Sequence, residues 1–287
     1  MTVYIYPNLK KNNALECTKE ACEVLHNNGI KILMHCNCKE QIDIDYIEYI
    51  SNDERLEECE FIICVGGDGT ILRAAALAIK YDCAVLGINC GRLGFMSSLE
   101  RADVYRLCDL CSRNFTVESR MMLDVIITRA DGTCITSQAL NDAVISHGVT
   151  SRIQDFTVLA DGVVISSLRA DGLIFSTPTG SSAYSLSAGG PLIEPTIDCI
   201  EFTQICPHSL FSRTMLISPK RVIEVKYNAD EGSQIAVSVD GRAPIVLKPL
   251  DRLFIKKSEY SVKFIDMNAN NYFNSIGKKL MQPTKEV

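Results

Sequence analysis

Four short stretches of this chain carry residues that can do chemistry. The first is Val65-Gly66-Gly67-Asp68-Gly69-Thr70. Glycine has no Cβ, so three of them let a backbone turn tightly and approach a ligand closely. Free amide N–H groups and the dipole at the start of a following helix favour phosphate. Asp68 stands out here, because a carboxylate repels a bare phosphate. It can order the water shell of a metal, or accept a proton from an attacking hydroxyl. Its plainer role would be to cap the helix that follows. The loop is neither a Walker loop, which needs Gly-Lys-Ser/Thr, nor a G-x-G-x-x-G fingerprint. Arg73, one turn further on, can reach a phosphate or face solvent.

The second stretch, Gly87 to Met96, again places glycines after an apolar run. The third, Asn141-Asp142, interrupts an apolar run. Buried polar groups cost stability unless hydrogen-bonded, so this pair either binds something or marks a bulge. Asp carboxylates accept hydrogen bonds well from ribose-type hydroxyls. The fourth runs from Arg169 and Asp171 through Ser182, Ala183, Tyr184, Ser185, Leu186 and Ser187 to Pro191. Its density of Ser, Thr and Gly beside an Arg and an Asp exceeds what a structural segment needs, and such loops are disproportionately functional. Tyr184 can stack on a flat base or simply pack.

These stretches need elements to hold them. Up to about residue 115, apolar runs alternate with helical patterns. Strands are expected at Thr2–Tyr6, Ile30–His35, Phe61–Val65 and Cys83–Ile88. Helices are expected at Asn12–Asn28, Ile71–Lys80 and Ala102–Asn114, with Glu40–Glu58 ambiguous. That alternation predicts an open, mostly parallel α/β sheet. From Phe115 the period becomes two, as in Leu123, Val125 and Ile127. Asp131-Gly132, Asp161-Gly162 and Asp240-Gly241 mark tight hairpins. Strands are expected at Leu173–Phe175, Arg221–Tyr227, Gln234–Val239, Ile245–Leu247 and Ser261–Asp266, in an all-β sandwich. The expected organisation is an α/β domain over 1–115, a sandwich over 116–269, and a closing helix at about 270–280 packing back on the first.

In combination the four stretches are similar to the NAD kinase family. Asp171 to Pro191 resembles that family's D-G-L-I-x-S-T-P-T-G-S-T-A-Y-x-L-S-A-G-G-P block almost throughout. Gly66–Leu72, Gly87–Phe95, Asn141-Asp142 and Pro207-His208-Ser209-Leu210 follow in the family's order. The resemblance covers roughly residues 61 to 220 and, more loosely, the rest. It implies an α/β domain with a β-sandwich, and transfer of the γ-phosphoryl of ATP to the 2′-hydroxyl of the adenosine ribose of NAD, giving NADP. It implies Asp68 as general base and Gly66, Gly67, Gly69, Thr70 and Arg73 as the phosphate loop and its neighbour. Asn141, Asp142, Arg152, Arg169, Asp171 and Ser182 to Ser187 would contact the dinucleotide. It also implies a divalent cation, Mg²⁺, with no dedicated metal residues, and a homodimer or homotetramer. Three positions depart from the usual pattern: Ser182 replaces Thr, Asp142 replaces Glu, and Arg242 stands where some relatives carry Gln.

Composition narrows the field. The 287 residues carry 29 Lys and Arg against 35 Asp and Glu, a net charge of −6, which is wrong for a protein that coats a nucleic-acid backbone. No apolar run approaches the roughly 20 residues that span a bilayer. No cleavable signal is expected in the opening residues, so a cytoplasmic protein is expected. The 13 cysteines include Cys36-x-Cys38 and Cys108-x-x-Cys111, whose mismatched spacings and scattered companions favour core and surface thiols over a zinc site. Two other classes share parts of the pattern. A lipid or sugar kinase could use the same glycine loop, but no basic amphipathic stretch marks a membrane face. A non-catalytic dinucleotide sensor would have no need of Asp68.

Overall fold

The structure is a computed structural model that describes residues 1–91, 94–147, 153–209, 212–227, 234–267 and 271–280. The chain divides into two compact units, one formed by Met1–Ser119 with Val262–Val287, the other by Arg120–Ser261.

The first unit is the α/β unit. Its elements are β1 (Thr2–Pro7), α1 (Ala14–Asn27), β2 (Lys31–His35), β3 (Ile47–Ile50), β4 (Phe61–Gly66), α2 (Asp68–Lys80), β5 (Ala84–Asn89), β6 (Leu99–Glu100) and α3 (Asp109–Ser112). The parallel order is β5-β4-β1-β2-β3. Strands β4 and β5 are buried along their whole length, as their unbroken apolar runs require. Helix α1 buries Ala14, Cys17, Thr18, Ala21, Cys22 and Leu25 at helical spacing, and Gly29, at φ 70°, ends it. The ambiguous 40–58 stretch resolves into β3 and a 3₁₀ turn at Glu54–Glu58. Residues 102–114 are mostly 3₁₀ rather than α-helical.

The chain leaves β1 toward β2 on one side and resumes at β4 on the other. The C-terminal ends of β1 and β4 therefore flank a topological switch point, where open α/β sheets bind ligands.

The second unit is an antiparallel β-sandwich. Its strands are β7 (Thr116–Thr128), β8 (Cys134–Ala139), β9 (Asp142–His147), β10 (Gln154–Ala160), β11 (Val163–Ala170), β12 (Gly172–Ser176), β13 (Ile200–Ile205), β14 (Met215–Ile217), β15 (Ile223–Tyr227), β16 (Ile235–Val239), β17 (Ile245–Val246) and β18 (Arg252–Asp266), with the short helix α4 (Tyr184–Ser187). One sheet runs β14-β13-β12-β9-β16-β17. The other contains β11-β10-β15-β18, with β7 and β8. A single apolar core, including Phe156, Phe175, Phe202, Val237 and Leu253, belongs to this unit. The Asp161-Gly162 and Asp240-Gly241 turns have positive φ at both residues, as two-residue hairpins demand.

Strand β18 is longer than the Ser261–Asp266 segment expected from sequence. Its first half pairs with β15 in the sandwich unit, whereas Phe264, in the part of the strand from Val262 on that belongs to the α/β unit, pairs in parallel with Val85 of β5. The closing helix is present as α5 (Asn271–Leu280).

Candidate functional site

The α/β unit places its predicted residues at the switch point. Asp68 is the first residue of α2, yet its side chain makes no cap for that helix. Its Oδ2 accepts from the Phe95 amide at 2.9 Å and its Oδ1 from the Met96 amide at 3.3 Å. The capping role considered for Asp68 is therefore not the one the fold uses. The carboxylate is half-buried and fixed to the loop that follows β5. Gly94 makes this approach possible: a Cβ there would overlap Asp68 Oδ1.

The glycines of the first loop serve space, not turning. None of Gly66, Gly67 and Gly69 has positive φ, and Gly67 is fully extended. A Cβ on Gly66 would meet Thr70 Oγ1, and one on Gly67 would meet Lys11 Nζ. No sequence motif points to Lys11. Its Nζ donates to the Gly66 carbonyl at 3.0 Å and lies beside Gly91. A cation thus bridges both glycine loops. The only signal for it is position, four residues past the end of β1. Arg73 is exposed, with Nη2 3.4 Å from Thr70 Oγ1. Asn89 holds Gly91 through paired 3.2 Å bonds, and the Cys90 amide donates to Gly66 O at 3.0 Å. The Cys90 thiol is buried, and a hydrogen bond from Cys17 lowers its pKa.

The sandwich unit builds its part around Asn141 and Asp142. Asp240 Oδ1 accepts from the amides of Asn141 (2.8 Å) and Asp142 (3.1 Å), and Oδ2 from Leu140 (2.9 Å). One buried carboxylate thus fixes three consecutive amides of the turn into β9. As sequence, Asp240-Gly241 signals only a turn. Asn141 O accepts from Thr177 N (2.8 Å) and Ser176 Oγ (3.1 Å), and Thr177 Oγ1 donates to Leu140 O (2.6 Å). Gly180 packs on the Asn141 backbone where a Cβ would collide with it. The hydroxyls of the fourth stretch are therefore used largely to lock that loop to Asn141-Asp142.

Within that loop the predicted residues divide by exposure. Tyr184 is 44% exposed and Ser187 is exposed, both open to a ligand. Ser182 and Ala183 are half-buried, and the Ser182 hydroxyl donates to Thr179 O at 3.2 Å. Ser185 is fully buried and its hydroxyl lies 2.9 Å from that of Thr203. Leu186 is half-buried. Arg169 pairs with Asp155 at 2.9 Å on the surface. Asp171 sits between β11 and β12, its amide bonded to Ile205 O at 3.0 Å. Arg152 lies outside the described residues, as do Arg92 and Leu210.

Two carboxyls in this unit are strongly perturbed. Burial, then the neighbouring Asp240, push Asp142 up to about 7. Burial also pushes Glu201 up to about 7, with Asp142 adding to it against hydrogen bonds from Ser185 and Thr203. Buried polar atoms without a partner include Asn141 Oδ1, Thr179 Oγ1 and Glu201 Oε2. All thirteen cysteines are free, and no group of three or more His, Cys, Asp or Glu side chains is placed to hold a metal among the described residues. No helix among them is long and apolar enough to cross a membrane.

A glycine loop at the switch point of a parallel sheet, in a chain whose sandwich unit carries a hydroxyl-rich loop, is suited to binding a nucleotide. The sequence profile of the ATP-NAD kinase N-terminal domain matches residues 3–114, and that of the ATP-NAD kinase C-terminal domain matches residues 140–267. The chain belongs to the ATP-NAD kinase family. It is 34% identical to the NAD kinase of Natranaerobius thermophilus, over 97% of each chain. It is 35% identical to that of Acetivibrio thermocellus, over 98% of this chain and 97% of the other. The fold is similar to that of yeast NADH kinase complexed with NADH, with a TM-score of 0.87 and 24% identity, covering 100% of this chain and 89% of the other. It is also similar to that of an Archaeoglobus fulgidus NAD kinase in complex with ATP, with a TM-score of 0.74 and 26% identity, covering 98% and 99%.

Proposed function

We propose that this chain transfers the γ-phosphoryl of ATP to the 2′-hydroxyl of the adenosine ribose of NAD, making NADP. Both family profiles, and relatives named NAD kinase that match nearly the whole length, support the activity. The observation that carries the site assignment is the Asp68 carboxylate, held by the Phe95 and Met96 amides and not spent on its own helix. Each oxygen keeps a lone pair free, so the group is fixed in place and still able to accept the ribose proton.

Phosphoryl transfer leaves a protein little covalent work beyond positioning and neutralising charge. The loop Gly66, Gly67, Gly69 and Thr70, with Arg73 and Lys11, is assigned to the triphosphate. Asn141, Asp142, Asp171 and the turn bearing Tyr184 and Ser187 are assigned to the dinucleotide. Arg152 and Arg169 are assigned there as supporting cations. Mg²⁺ enters with the nucleotide as part of the Mg·ATP substrate, since it keeps several waters and takes few protein ligands. Thirteen free thiols suit a reducing compartment, and the same reading has the chain act in the cytoplasm as a homodimer or homotetramer.

The test is direct. Purified protein is incubated with ATP, Mg²⁺ and NAD, and NADP is measured with an NADP-specific dehydrogenase. Formation of NADP supports the reading. Its absence, with phosphoryl transfer to a lipid or sugar instead, overturns it.

A further inference from the structure

Strand β13 carries an acidic residue that neither the family block nor the mechanism uses. Glu201 is fully buried, 0% exposed. Thr203 Oγ1 donates to its Oε1 at 3.4 Å. That same hydroxyl lies 2.9 Å from Ser185 Oγ and 3.0 Å from Thr214 Oγ1. Gly190, at the end of the loop, has no Cβ where Glu201 Oε1 and Ser185 Oγ come closest to it. Oε2 has no partner.

The register extends this contact toward Asn141-Asp142. Glu201 pairs across the sheet with Ser176, and Ser176 pairs with Asp142. Asp142, Ser176 and Glu201 therefore form one cross-strand row, with Leu216 of β14 completing it. The charged group that faces Glu201 is Asp142. From the loop, Ser185 offers it a hydroxyl.

We propose that Glu201 is a positioning residue for NAD: from beneath the 180–190 loop it fixes Ser185, and through Ser185 the turn that presents Tyr184. A carboxyl in a closed interior with one oxygen unmatched is costly, and an apolar residue there would stabilise the strand better. Its geometry accounts for its presence. The Thr203 hydroxyl of β13 donates to Glu201 and meets the hydroxyls of Ser185 from the loop and of Thr214 just before β14, so the carboxyl anchors a relay that ties the loop to the sheet. Burial holds the carboxyl up to about 7, so the neutral acid is well populated at neutral pH and Gln is its close mimic.

The proposal rests on the assignment of this loop to NAD, so the experiment tests the two separately. Initial rates are measured against NAD and against ATP for the parent, Y184A, E201A, E201Q and T203V, with folding checked by thermal melting. E201A is expected to raise KM for NAD by about fivefold or more, leaving KM for ATP and kcat within about twofold. E201Q is expected to return KM for NAD to within about twofold of the parent. T203V, which removes only the linking hydroxyl, is expected to raise KM for NAD by about threefold or more, and it carries the test if E201A does not fold. An unchanged KM for NAD, an equal rise for both substrates, or an E201Q as impaired as E201A overturns the proposal. If Y184A also leaves KM for NAD unchanged, the loop assignment itself has failed. If Y184A raises it and E201A does not, only the role of Glu201 has failed.

Discussion

Gly94 lies against Asp68 so closely that a methyl group on its Cα would overlap Oδ1 and sit 2.9 Å from Cγ. The next two residues, Phe95 and Met96, supply the amides that hold the same carboxylate. The second glycine loop is therefore a mould for the proposed base of the first. G94A must push the carboxylate away or open the loop. A displacement of about 1 Å can cost about 10²-fold in rate. G94A is expected to lose at least about tenfold in kcat with a near-normal melting temperature. Parental turnover would show that the position of Asp68 does not matter.

Removing the base without moving it is a separate experiment. In D68N the side-chain oxygen can still accept one amide, while the NH2 group faces the other, so folding is retained at a small cost. General-base assistance is worth about 10²–10⁴-fold, and D68N is expected to lose that much in kcat. NAD and ATP affinities, read by calorimetry, should change little. Near-parental turnover would remove Asp68 from the chemistry.

Lys11 gives a prediction that separates the substrates. Its Nζ lies at the Gly66 carbonyl and against Gly67 and Gly91. K11M keeps the aliphatic stem and removes the charge. KM for ATP should rise by about tenfold, with KM for NAD within about twofold. A matching rise in both would mean that Lys11 only braces the two loops.

Much of this was readable in the sequence, for identifiable reasons. Buried parallel strands such as Phe61–Gly66 are continuous apolar runs, and Asp-Gly turns carry their own backbone requirement, so sheet and hairpins followed from local pattern. The glycine loops were visible because glycine at a strand end is a local signal. Lys11, Asp240 and Glu201 were not. Lys11 sits in the polar run Lys10-Lys11-Asn12-Asn13, which looks like a solvated loop. Asp240 reads as turn chemistry, yet its carboxylate binds amides about a hundred positions earlier in the chain. Glu201 precedes Phe202 in a short strand, and nothing local says which of the two faces the loop. Each depends on long-range register, which composition and periodicity do not carry. The length of β18 escaped for the same reason, since its two halves have different partners.

Asp240 allows that point to be tested. D240A leaves three amides of residues 140–142 without their acceptor in a buried site. Each unsatisfied buried donor costs about 1–3 kcal/mol, partly relieved by water, so a loss of about 3 kcal/mol is expected in urea unfolding. The turn carrying Asn141 and Asp142 loosens with it, so KM for NAD should rise while KM for ATP holds. A stability loss without any change in KM for NAD would confine Asp240 to the fold.

The raised carboxyls make stability depend on pH in a definite direction. Asp142 and Glu201 both reach about 7 in the folded chain, mainly through burial. In the unfolded chain both fall in the ordinary carboxylate range, roughly 4. The folded state thus holds these protons more tightly than the unfolded state. Their contribution is fully present below about pH 4 and is lost as pH rises to about 7, after which it is flat. The slope from each group is at most about 1.4 kcal/mol per pH unit, and the Asp142 charge adds to the rise at Glu201. Most surface carboxylates act in the opposite sense, so the difference between variants is the quantity to measure. Urea unfolding from pH 5 to pH 8 should show D142N and E201Q gaining stability over the parent as pH rises, with the gain levelling off near pH 7. A difference that stays constant from pH 5 to pH 8 would mean that both carboxyls are already ionised in the folded chain throughout this range.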